Sequence, residues 1–176
     1  MKKGSIPLLL FIFCLGCRSD QAENDARSWD ACQILGLAEV EELMNSKAES
    51  SGNTVTGTIG QRPFVSQCHY HTLAGVTPYQ SLGILVRLAM NSEERDGARD
   101  RYLESLKQLK TASVREALER IDDVGNGALY DAGRHQLIVF RGADMLILTG
   151  NLARKQDIKS EFVTLAQSLL KKLSSD

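Results

Sequence analysis

No excess of either charge runs through this 176-residue sequence: 21 Lys and Arg stand against 22 Asp and Glu. The balance supplies no basic field for a nucleic-acid backbone and no block of like charge that would read as an interaction tail. Long apolar runs are missing too. The run Ile6 to Leu15 is about ten residues, half of the ~20 a membrane-spanning helix needs. Catalytic signatures are also lacking: there is no G-x-S-x-G, and no S-x-x-K accompanied by its partner motifs. What remains is 43% hydrophobic and 24% charged, the composition of a globular chain with the length of one domain.

The short apolar run has the dimensions of a signal-peptide core, and Met1-Lys2-Lys3 before it is a positive n-region. Cys14-Leu15-Gly16-Cys17 follows, then polar residues. This resembles a bacterial lipobox, with Cys14 where Leu or another aliphatic is usual. The resemblance implies that Cys17 is acylated and becomes the first residue of the mature chain. Residues 1–16 are then the leader, 17–28 the lipidated cysteine and a polar stalk (RSDQAENDAR), and 29–174 the domain. Losing Lys2 and Lys3 leaves 19 basic against 22 acidic side chains. The expected address is the cell envelope: the outer membrane facing the periplasm in a Gram-negative cell, otherwise the outer face of the cytoplasmic membrane. The expected partners are the membrane, through the anchor, and an envelope protein or small molecule; nucleic acid is not among them.

Of four cysteines, Cys14 leaves with the leader and Cys17 carries lipid, so Cys32 and Cys68 remain. In an oxidising compartment such a pair reads as a disulfide. The alternatives are a redox-active pair or a metal site, although active dithiols usually lie close together as C-x-x-C.

Along the chain, Leu35, Leu37, Val40, Leu43 and Met44 recur at helical spacing and predict a helix near residues 37–45, after a short turn at 31–35. Residues 46–62 are rich in Ser, Thr and Gly and read as a loop, with a weak edge strand at 54–59. Residues 64–73 and 79–90 read as two strands of a hairpin. Ser92 to Lys110 carries a helical stripe of Ala98, Tyr102, Leu106 and Leu109, and residues 114–121 suggest a short helix. Three strands at about 128–131, 135–141 and 144–150 form a meander. The stripe Ile158, Phe162, Leu165, Leu169 and Leu173 marks a closing helix. Together these predict an α+β domain: one twisted, mainly antiparallel sheet of about five to six strands, with amphipathic helices on one or both faces. Both faces need cover around residues 137–140 and 145–148, where successive side chains are apolar.

Several features resemble small bacterial envelope lipoproteins that carry a domain of unknown function. A cysteine opens the first helix (Cys32, then Leu35 to Val40), a second precedes an aromatic on a strand (Cys68-His69-Tyr70), and a G-[D/N]-x-A-x-[aromatic] block precedes a hairpin (Gly125 to Tyr130). Asn126 stands where Asp is usual, and Tyr130 where Trp is frequent. The resemblance implies a disulfide and a compact α+β fold. It brings no catalytic residues and no cofactor.

His69 and His71, two apart on a strand, share a face and are candidate Zn or Cu ligands; His135 is the third histidine in the chain. Gly125-Asn126-Gly127 lacks the Lys-Ser/Thr of a phosphate loop and reads as a tight turn, and Asp122-Asp123 as a solvated turn. Three functional classes follow: an anchored interaction module, a periplasmic metal binder using His69 and His71, and an enzyme with a dispersed site.

Overall fold

The computed structural model describes residues 30–56, 64–88, 104, 118–142, 144–153 and 157–173. The leader, Cys17, the stalk, Trp29 and the stripe of 92–110 lie outside them. Two short helices open the described chain, α1 (Ala31–Ile34) and α2 (Leu37–Met44). Strands β1 (Ala48–Thr56), β2 (Phe64–Thr72) and β3 (Ser81–Leu88) follow. Then come β4 (Leu118–Ile121), β5 (Ala128–Asp131), β6 (Gln136–Arg141), β7 (Asp144–Asn151) and the closing helix α3 (Ile158–Lys172).

All seven strands form one sheet in the order β1-β2-β3-β7-β6-β5-β4, and every neighbouring pair is antiparallel. Two meanders, β1–β3 and β4–β7, are therefore joined edge to edge through β3 and β7. Ile84 faces Leu148 across that seam, and Leu148 faces Leu137 in turn. This continues as Tyr130 and Glu119, so one row of side chains crosses both halves.

Among the described residues the sheet has seven strands, not five or six; β4 is unexpected, and β1 is longer than the weak edge strand read at 54–59. Residues 46–62 read as a loop with a weak edge strand at 54–59, yet β1 begins earlier, at Ala48, and pairs with β2 from Ala48↔Thr72 to Thr56↔Val65. Residues 118–121, expected in a short helix, instead form β4 against β5. Both errors have one cause. An edge strand is held by backbone hydrogen bonds to one neighbour and needs little apolar surface, so it carries a weak alternating signal. A bulge between Ser50 and Asn53 shifts the register of β1 further.

One face of the sheet is covered by α1, α2 and α3. Ala31, Leu35, Val40, Met44, Phe162, Ala166 and Leu169 join Tyr70, Ile84, Leu137 and Leu148 in one buried cluster. On the opposite face Ile138, Phe140 and Met145 form a second buried cluster with Leu129 and Ile147. The continuous apolar runs of β6 and β7 thus feed two cores, as their sequence requires. At the start of α3 the Asp157 carboxylate accepts from Ser160 N–H at 3.0 Å, and Lys171 and Lys172 lie in its last turn. Among the described residues no helix is long and apolar enough to cross a membrane.

Candidate functional site

Strand β2 divides the candidate residues between its two faces. Ser66, Cys68 and Tyr70 point into the core; Gln67, His69 and His71 point away from it.

The inner side chains hold α1. A four-residue helix has no stability of its own, because nucleation fixes several dihedrals for one hydrogen bond. Cys68 binds Cys32 as a disulfide with Cα atoms 5.2 Å apart. The buried Ser66 hydroxyl accepts from Ala31 N–H at 3.0 Å and donates to Asn53 Oδ1 at 2.9 Å. The Tyr70 hydroxyl donates to the Leu35 carbonyl. Asp30 caps the start by accepting from Cys32 N–H at 2.8 Å. Tyr70 is 2% exposed; burial, then the nearby Asp30 and Glu39 charges, pushes its phenol up to about 12. It stays a neutral donor, as its bond to a carbonyl requires. Ser50 Oγ lies 3.4 Å from Cys68 Sγ on the β1 side.

On the outer face His69 and His71 share the surface as their spacing predicts. The His69 ring lies over Gly83, where an added Cβ would come within 3.0 Å of Nδ1; glycine makes that approach possible. His71 Nε2 is 3.1 Å from Glu49 Oε1. His135 does not join them: β3 and β7 intervene, and its Nδ1 is 3.3 Å from the Tyr130 hydroxyl. Among the described residues no group of three or more His, Cys, Asp or Glu gathers into a metal-holding cluster.

A second polar cluster, not singled out in the sequence, lies where α3 meets β4 and β5. Lys159 Nζ bonds both Glu119 oxygens at 2.8 and 3.0 Å. That bond is the main reason the Lys159 ammonium is pushed up. Burial, followed by the Asp157 charge, likewise pushes the Tyr130 phenol up. Both shifts favour the protonated forms, so neither group is poised as a nucleophile or base. Lys159 and Glu119 are 40 residues apart on elements of different type. No local motif could have announced the pair.

The Gly125-Asn126-Gly127 block is a turn, and it does structural work. Gly125 has φ +60°, and a Cβ there would collide with the Phe140 carbonyl. Asn126 N–H donates to Phe140 O at 2.7 Å, and its Oδ1 accepts from Gly142 N–H at 2.6 Å. The side chain therefore ties this turn to the β6–β7 hairpin, a task that an Asp oxygen performs equally well. Asn126→Asp should leave stability nearly unchanged in urea denaturation, whereas Asn126→Leu should lose about 1 kcal/mol; equal losses would remove this role. Asp122 pairs with Arg120 at 2.6 Å, both well exposed, and Asp123 O accepts from Gln167 Nε2 at 3.4 Å.

No protein-family model, curated protein or solved structure matches this chain.

Proposed function

We propose that this chain is a lipid-anchored bacterial envelope protein, akin to the small lipoproteins its cysteine and Gly-Asn motifs resemble, whose domain acts as a binding or interaction module. The observation that carries the reading is the Cys32–Cys68 disulfide, built into the core at a completely buried Cys68. A bridge on which α1 depends suits an oxidising compartment, where disulfides persist. The N-terminal signals point to the same place: Lys2 and Lys3, the short apolar run and the lipobox-like residues ending at Cys17. A diacylglycerol anchor holds because each buried methylene contributes about 0.8 kcal/mol and more than one chain is present. The domain's role as a module rests on what its ionisable groups do: His71 faces Glu49, Lys159 faces Glu119, and both buried phenols are kept protonated. Its partner in this reading is an envelope protein or a small molecule.

Metabolic labelling with a palmitate analogue tests the anchor. The parent chain should incorporate label and Cys17→Ser should not. Equal labelling of the two, or an intact mass that retains Met1, would sink the proposal.

A further inference from the structure

The hairpin between β2 and β3 projects residues 73–79 (LAGVTPY), a tip without a charged side chain. Two of the large hydrophobic side chains exposed among the described residues are here: Leu73 is 38% exposed and Tyr79 60%. Val76 and Pro78 lie between them. The tip is not a loose loop. Leu73 N–H donates to Lys47 O at 3.2 Å and Val76 N–H to Leu73 O at 3.0 Å. Its base is closed by Thr72 N–H to Gln80 O at 3.1 Å, and by Gln80 N–H to Thr72 Oγ1 at 3.2 Å. Buried Gln80 also donates to the last α2 carbonyl, Met44 O, at 2.9 Å. Polar groups beside the tip have partners: Lys47 meets Glu41 at 2.9 Å, and Glu49 Oε1 lies 3.1 Å from His71 Nε2. Tyr79 packs near the His71 ring, centroids 6.5 Å apart.

We propose that this tip rests in the interfacial layer of the membrane that holds the anchor, with Leu73 and Tyr79 as its contact side chains. The proposal rests on the lipid-anchor reading above. Tyrosine suits such a place because its ring is apolar and its hydroxyl reaches water. The tether permits it. About thirteen residues separate Cys17 from Asp30, with a contour of roughly 45 Å at full extension. The domain enters the sheet where Ala31 meets Ser66, and the seven residues from there along β2 to Leu73, just past its end, span only about 23 Å. The stalk thus reaches the tip as well as Val55, which pairs with Ser66; what selects the tip is its uncharged stretch carrying an aromatic ring. A protein partner would also accept an apolar tip, but in the lipid-anchor reading a bilayer always lies within the stalk's reach of the domain.

The test uses the full lipidated chain in vesicles of phosphatidylethanolamine and phosphatidylglycerol, with brominated lipid as a fluorescence quencher. Tyr79→Trp places a reporter at the tip. Val55→Trp, at a residue 51% exposed near the other end of β1, is the control; both are surface positions that should melt like the parent. The emission each adds over the parent is measured. Quenching at position 79 should exceed that at 55 by about threefold, because an interfacial ring lies next to the bromines. Equal quenching, or none at either site in a chain that floats with vesicles, overturns the tip proposal and leaves the anchor standing. A chain that fails to float overturns both. Protection of the tip by a co-purifying envelope protein, without quenching, assigns the tip to a protein and also overturns it.

Discussion

Replacing Cys32 and Cys68 together by alanine should lower the free energy of unfolding by about 4 kcal/mol, the chain-entropy value for the loop they close, a separation of 36 residues. The structure adds a local consequence. Without the bridge, α1 keeps the burial of Ala31 and Leu35, the Lys172 bond to the Ile34 carbonyl, and the Ser66 and Tyr70 hydroxyls and the Asp30 cap, these hydrogen bonds contributing about 1 kcal/mol each. The loss should therefore appear twice: as a lower midpoint in guanidinium, and as faster amide exchange at residues 31–35 under native conditions. An unchanged midpoint, with free thiols titrating at both positions in the parent, would mean that the pair is not bridged in the protein. It would also remove the principal support for an oxidising compartment.

The second large effect is expected at Phe162. Its side chain is fully buried, with Ala166 and Leu169 above it on the same stripe of α3 and in one cluster with Leu137 and Leu148 of the sheet. Phe162→Ala removes a ring that its surroundings cannot refill, and should cost about 4 kcal/mol by denaturant unfolding. The polar link at the other end of α3 is a useful contrast. Lys172 Nζ meets Glu39 at 2.6 Å and the Ile34 carbonyl at 3.3 Å, but the pair is half exposed and worth no more than about 1 kcal/mol. Hydrophobic burial, not that ion pair, fixes α3 to the sheet. A loss below about 1 kcal/mol for Phe162→Ala would show that the helix docks weakly.

Several elements were legible because their side chains contrast with one another at a period the backbone dictates. The stripe of α3 recurs every three to four residues, and it emerged as Ile158–Lys172. The alternation of β2 put His69 and His71 on one face and Cys68 on the other, and the packing of α1 shows that the cysteine face is the buried one. The meander was announced by its Gly-containing turns, and β5, β6 and β7 fall within a residue or two of expectation. The helix expected to begin near 37 does so at Leu37, although the turn before it closes into α1. At the polar sites less could be read. The H-x-H pair has the spacing of a ligand set, but spacing says nothing about what stands opposite. Opposite His69 is the backbone of Gly83, and beside His71 is Glu49.

The sequence by itself determined the periodic elements, the alternation of β2 and the turns, because each is written in side chains within about a dozen residues of one another. Only the tertiary structure decided that β3 lies against β7, how far β1 extends, that β4 is a strand at all, and that Lys159 finds Glu119. Those pairings are made by backbone amides and carbonyls, which are the same in nearly every residue, or by side chains far apart along the chain. Nothing in a local pattern distinguishes their partners until the two meanders have closed into one sheet.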